Sequence, residues 1–146
     1  MKECNKCHIT KSRNEFGIDN TINDGLRRCC KCCKRKSDVA YKRTLNGFIR
    51  ATLAKQKYSS KKRGHNAPEY TFEELEKYLL TDSNFTNLFK CWELSSYRKE
   101  LTPSLDRINP YLPYTLNNIQ VMTWRENDAK GILERGIRHL NQTRYL

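Results

Sequence analysis

Acidic side chains are nearly missing where basic ones crowd. Between residues 26 and 63 the chain has one acid, Asp38, against fourteen lysines and arginines, so this stretch carries +13 while the other 108 residues sum to about −1. A merely solvated face intersperses both signs. The imbalance therefore points to a polyanion lying along one face, with nucleic acid the first candidate. Long apolar runs are missing too: no stretch of 18 or more apolar residues occurs, which excludes a membrane-spanning helix as an expectation. The opening Met-Lys-Glu-Cys lacks the apolar core of a secretory signal. An intracellular protein without membrane contact is expected, and the Asn-x-Thr sequons at Asn84 and Asn141 have no bearing on one. Evenly spread cysteines are also lacking. Of seven, six fall within the first 33 residues, which excludes the distributed disulfide framework of a secreted domain and favours metal ligation.

What remains is a polar chain of 146 residues that is 37% hydrophobic and 30% charged, with 15 aromatic residues for a modest core. That length holds one ordinary domain, or a small domain with a still smaller module that needs help to fold.

Cys4 and Cys7 make one Cys-x-x-Cys pair, and Cys29-Cys30-Lys31-Cys32-Cys33 contains another in two registers, 29/32 or 30/33. Two such pairs supply four soft donors in the tetrahedron that structural Zn2+ prefers. Spacing does not choose between the registers. Asp24-Gly25-Leu26 ahead of a Cys-x-x-Cys that opens a basic helix resembles small viral and phage zinc modules, and that resemblance implies Cys4, Cys7, Cys30 and Cys33 as ligands. Cys29 and Cys32 are then spare thiols, with a redox or dinuclear role as the alternative. Phe16, midway between the pairs, is the expected apolar plug. A module of roughly 35 residues buries too little surface to fold alone, so metal binding is expected to supply most of its folding free energy.

Val39, Tyr41, Leu45, Phe48, Ile49 and Leu53 recur at mostly three- and four-residue steps, which predicts one amphipathic helix from Ser37 to about Tyr58, with Gly47 a point of interruption. Arg27, Arg28, Lys34, Arg35, Lys42, Arg43 and Arg50 are candidate phosphate contacts, as are Lys55 and Lys57. Lys61, Lys62 and Arg63 join them from Ser59-Ser60-Lys61-Lys62-Arg63-Gly64, which reads as a basic turn. Thr71-Phe72-Glu73-Glu74 matches a capping box and predicts a helix over Phe72 to Leu80.

From Ser104 to Lys130 the pattern is strand, loop, strand, helix. Leu105 to Ile108 suits a short strand, Asn109, Pro110 and Pro113 punctuate a loop, Ile119 to Met122 alternates as a returning strand, and Trp124 onward is helical. Ile132, Leu133, Ile137 and Leu140 extend the helix toward Leu146.

Leu105-Asp106-Arg107-Ile108, Tyr114, Asn118-Ile119, Asn127 and Lys130 together resemble the HNH, or ββα-metal, endonuclease motif of phage and viral enzymes, with Pro113 where that family usually has glycine. The resemblance is close over about a fifth of the chain and looser over the rest. It implies an α+β fold with a four-cysteine zinc module at 1–36, a basic helical segment at 37–63, and an HNH nuclease core with a C-terminal helix at 64–146. It further implies hydrolysis of DNA, double-stranded by expectation, using Mg2+ or Mn2+ held by Asp106 and Asn127, with Asn118 fixing the loop and Asn117 as its substitute. A viral protein of this kind would work in the host cytoplasm or nucleus. Homing, restriction and packaging roles stay open, and so does a homodimer.

Most such enzymes carry a histidine after the aspartate as general base. Here it is Arg107, whose guanidinium cannot take a proton and is expected instead to clamp the phosphate; PacI-like restriction enzymes also have Asp-Arg. His65 is the first candidate for the base, Tyr97 or Tyr114 the second, and His139 lies far along the terminal helix. Relatives often hold a second zinc around the two strands. Only Cys91 is present there, so an apolar cluster including Trp92 and Trp124 is expected in its place. The competing expectations are a catalytically inactive, zinc-containing DNA-binding protein and a zinc-stabilised scaffold for protein partners.

Overall fold

The computed structural model describes the backbone of residues 1–143 and the side chains of residues 1–136. The chain is α+β and falls into two compact units, Met1–Phe48 and Ile49–Leu146. Among the described residues no helix is long and apolar enough to cross a membrane.

In the first unit, β1 (Lys2–Glu3) pairs antiparallel with β2 (Thr10–Lys11), and β3 (Phe16–Ile18) with β4 (Leu26–Cys30). The chain reverses between β1 and β2 by donating His8 N–H to the Cys4 carbonyl at 2.8 Å and Cys4 N–H to that of Ile9 at 3.1 Å. Ahead of β4, the Asp24 carboxylate accepts from Leu26 N–H at 3.1 Å and pairs with Lys2 at 2.7 Å. Gly25 turns the chain there at φ +70°, a region that glycine enters without steric cost. Phe16 is 3% exposed and shares a buried cluster with Cys4 and Cys30.

Helix α1 (Lys31–Lys42) starts six residues before Ser37, because Cys30 is its N-cap and accepts from Cys33 N–H. The expected single helix is two. Thr44 stops one and starts the next: its hydroxyl donates to the Tyr41 carbonyl at 2.7 Å and accepts from Gly47 N–H at 3.1 Å, capping α2 (Leu45–Arg63). Gly47 is not the break but what permits it, since a Cβ there would come within 1.9 Å of the Tyr41 carbonyl oxygen. The apolar stripe divides accordingly. Phe48 and Ile49 are buried, whereas Val39 and Tyr41 are exposed.

Helix α2 continues through Ser59–Arg63, where a turn was expected, and gives way at Gly64. Its buried face runs from Ile49 to Gln56 and Ser60, so the helical period persists in polar residues that carry no hydropathy signal.

In the second unit α3 (Phe72–Thr81) begins with the expected capping box between Thr71 and Glu74. Helix α4 (Ser83–Leu94), unexpected from the sequence, is capped by Asp82, which accepts from Phe85 N–H at 2.9 Å. Strands β5 (Pro103–Arg107) and β6 (Ile119–Thr123) form an antiparallel pair, and α5 (Trp124–Thr143) follows β6 without a connecting residue. Helices α4 and α5 each pack on both strands, and Leu75, Leu79, Phe85, Trp92, Leu105 and Ile119 make the core. Trp92 lies in an aromatic group with Phe89 and Tyr97, while Trp124 instead carries the Lys99 ammonium 4.0 Å above its ring.

Gly47→Ala is expected to destabilise the protein by about 2–4 kcal/mol, because the helix junction must open to admit a methyl group. Gly136→Ala, with nothing within 4 Å of its added Cβ, should stabilise by roughly 0.5–1 kcal/mol. Opposite shifts of Tm in thermal unfolding check the pair.

Candidate functional site

The thiol sulfurs of Cys4, Cys7, Cys30 and Cys33 lie within 4.8 Å of one another and could hold a metal ion such as zinc. This is the 30/33 register. Cys29 and Cys32 are left outside, because β4 delivers Cys30 inward and the first turn of α1 brings Cys33 back beside it, while Cys32 is exposed. Backbone amides are aimed at the sulfurs: Cys30 N–H reaches Cys4 Sγ at 3.3 Å and Lys6 N–H does so at 3.4 Å. The Cys30 amide is the main reason that the Cys4 thiol is held down at about 6, against the effect of its burial. Cys33 behaves oppositely, pushed up to about 12 by its side-chain hydrogen bond with Cys30 and by burial. Four thiols this close cannot all ionise without a counter-charge, and a divalent cation supplies one.

The second unit holds two clefts of about 250 and 230 Å³ that share Lys55, Arg63, Asp106, Tyr114 and Asn127 in their walls. Asp106 and Asn127, 21 positions apart, therefore face the same space. Strand β5 supplies the first. The second depends on the phase of α5, set by a capping box in which Thr123 N–H donates to the Glu126 carboxylate at 2.7 Å and Glu126 N–H to the Thr123 hydroxyl at 3.2 Å. The Thr123 N–H, together with the Thr123 hydroxyl that donates to the same carboxylate oxygen at 2.8 Å, holds the Glu126 carboxyl below its usual range. Asn127 Nδ2 donates to Ser104 Oγ at 2.7 Å, which leaves the carboxamide oxygen as the group to meet a cation. A carboxylate and a carboxamide oxygen are hard donors of the kind Mg2+ and Mn2+ take.

Arg107 is only 6% exposed. Its guanidinium donates to the Leu112 carbonyl at 3.0 Å and lies 5.3 Å from the centre of the Tyr114 ring, while its buried Nε has no partner among the described residues. Gln56, in the wall of the smaller cleft, accepts from the Tyr70 hydroxyl at 2.9 Å and likewise has an unpartnered buried nitrogen, Nε2. An unsatisfied buried donor is costly. The lysine and arginine side chains in the walls of both clefts suit an anion.

Asn118 serves the loop between β5 and β6. Its Oδ1 accepts from Asn109 N–H at 2.9 Å, and its Nδ2 donates to the carbonyls of Asn109 at 3.2 Å and Pro113 at 2.8 Å. Its amide is thus used within the hairpin and does not enter the clefts. Asn117 makes none of these contacts.

His65 follows the end of α2, donates its N–H to the Ser60 carbonyl at 3.0 Å, and lines neither cleft. Tyr97 is stacked edge-on against Trp92, so of the tyrosines considered Tyr114 alone borders the clefts. The side chain of His139 lies outside the described residues. Among the basic residues Arg63 reaches both clefts. Lys61 and Lys62 are exposed beside it on α2, and Arg50 lies over the Phe72 ring at 4.8 Å. In the first unit Arg27 and Arg28 are exposed on β4, Lys34 pairs with Asp38, Arg35 is exposed on α1, Lys42 ends that helix and Arg43 follows it.

Four residues at this site, Thr123, Glu126, Ser104 and Gln56, were missed in the sequence. Thr123-Trp-Arg-Glu126 carried a capping-box signal. Ser104 and Gln56 carried none, since their roles arise only when distant segments meet.

Metal analysis of purified protein is expected to find one zinc per chain, lost in Cys30→Ser and Cys33→Ser and retained in Cys29→Ser and Cys32→Ser. Chelation should unfold Met1–Phe48. Asn118→Ala, which strips three hydrogen bonds from loop backbone, should lower stability by about 2–4 kcal/mol in denaturant titration. Set against models of protein families, curated proteins and solved structures, the chain matches none.

Proposed function

We propose that the unit Ile49–Leu146 is a metal-dependent endonuclease that hydrolyses phosphodiester bonds in DNA, built on the HNH plan. The observation that carries the reading is the convergence of Asp106 and Asn127 on one cleft, reached from a strand, a loop, a second strand and a helix in that order. A hard divalent ion bound there would polarise the scissile phosphate and stabilise the departing oxygen. Asp106 and the Asn127 oxygen would hold it, and Ser104 keeps that oxygen turned outward. Arg107, in the wall of the larger cleft, places a fixed positive charge beside a phosphate oxygen. Lys55 and Arg63 hold neighbouring phosphates of the backbone. The four-thiol module is the structural metal site, and the basic residues of β4, α1 and α2 supply sequence-independent affinity.

A second reading, a nucleic-acid-binding protein that does not cut, is favoured by one observation: among the described residues no histidine lines either cleft.

A supercoiled-plasmid assay separates the two. Nicking that needs Mg2+ or Mn2+ and falls at least about 100-fold in Asp106→Ala and Asn127→Ala is expected. The point variants decide, because a chelator would also strip the thiol site. Salt-sensitive DNA binding with no cleavage in any divalent metal would establish the second reading instead, and absence of salt-sensitive binding would sink both.

A further inference from the structure

The carboxylate on which the nuclease reading rests is already matched by a cation of the chain's own. Lys130 Nζ lies 2.5 Å from Asp106 Oδ2 and 2.8 Å from the Arg107 carbonyl oxygen, with Glu134 Oε1 at 3.7 Å. Three oxygens, two of them anionic, therefore surround one ammonium. Both partners are largely shielded, the side chains of Lys130 and Asp106 being 29% and 22% exposed. The placement follows from α5: once Thr123 and Glu126 fix its start, Asn127, Lys130 and Glu134 recur at three- and four-residue steps along one side.

An ammonium and a divalent ion seek the same oxygen donors, and held on one carboxylate they repel each other strongly in a shielded setting. We infer that Lys130 is a resident counter-ion, which neutralises Asp106 in the cation-free protein and is displaced when a divalent ion enters, its ammonium turning to a phosphate oxygen in the cleft. The inference rests on the reading of Asp106 as a cation ligand and adds regulation of that site. The free protein then takes the ion weakly. A DNA phosphate, by drawing Lys130 away, makes the carboxylate available, so ion loading and substrate binding favour each other.

The test is Mn2+ binding, followed through the electron paramagnetic resonance signal of the free ion, in full-length protein without DNA. Lys130→Met should bind Mn2+ about tenfold more tightly than wild type, since Asp106 loses its competing partner. Lys130→Arg should resemble wild type, and Asp106→Asn should abolish the binding in either background. Lys130→Gln replaces the methionine variant if circular dichroism shows the latter unfolded. A short duplex should tighten Mn2+ binding more in wild type than in Lys130→Met. Equal or weaker binding in the folded Lys130 variants, with Asp106→Asn still abolishing it, overturns the counter-ion role and leaves the nuclease reading standing. Mn2+ binding indifferent to Asp106→Asn removes the cation-ligand reading itself, and this inference with it.

Discussion

Five consecutive antiparallel pairs join β5 to β6, from Pro103 opposite Thr123 to Arg107 opposite Ile119, and this register is the constraint on which the second unit depends. A slip of one residue would turn every side chain of a strand to its other face, carrying Asp106 away from the cleft. The register also dictates where α5 begins, because Thr123 is at once the last residue of β6 and the cap of the helix. Asp106 and Asn127 are therefore connected through hydrogen-bonded strand and helix with no slack segment between them. The proposed ion site would gain from such a path, since ion ligands must be held to within a fraction of an ångström. Trp124 N–H, donating to the Thr102 carbonyl at 2.7 Å, ties the start of the helix back to the residue preceding β5.

The two units are held by different physics. Ile49–Leu146 has an ordinary apolar core of leucine, isoleucine and aromatic side chains. Met1–Phe48 has short strands and a buried cluster in which two of three members are cysteines. Heat and denaturant act on apolar burial, whereas the small unit answers to the chemistry of its sulfurs. Amides aimed at the Cys4 sulfur lower the cost of charging it, which suits ligation of a metal such as zinc.

Much of this could be read in the sequence wherever a local rule fixed it. The capping box at Thr71 needs four residues, and the paired cysteines need a spacing. The alternation of β6 and the punctuated loop before it are likewise local. What escaped reading was set by contacts between distant segments or by polar residues in apolar places. Gln56 and Ser60 lie on the buried side of α2, so the helix was cut short in the reading though not in the structure. Thr44 ended a helix whose apolar spacing ran straight through it, because a hydroxyl bridging Tyr41 and Gly47 outweighs a period that counts only hydrophobic side chains. The acid and amide of the proposed ion site were visible as a motif. The lysine lying on that acid was visible only as a letter of the same motif, and its meaning came from a distance.

The hairpin loop is braced from within. Asn118 accounts for three of its backbone groups, the Asn109 side chain accepts from Tyr111 N–H at 2.9 Å, and Arg107 holds the Leu112 carbonyl. Each of these bonds has a main-chain atom at one end, and the side chains of Tyr111 and Leu112 make none of them: Tyr111 is 78% exposed and Leu112 51%. Such a tip can be rewritten residue by residue while the strands beneath keep their geometry. Evolution is thereby given a surface to vary for whatever the loop meets, while Asn118, Asn109 and Arg107 keep the backbone beneath it unchanged.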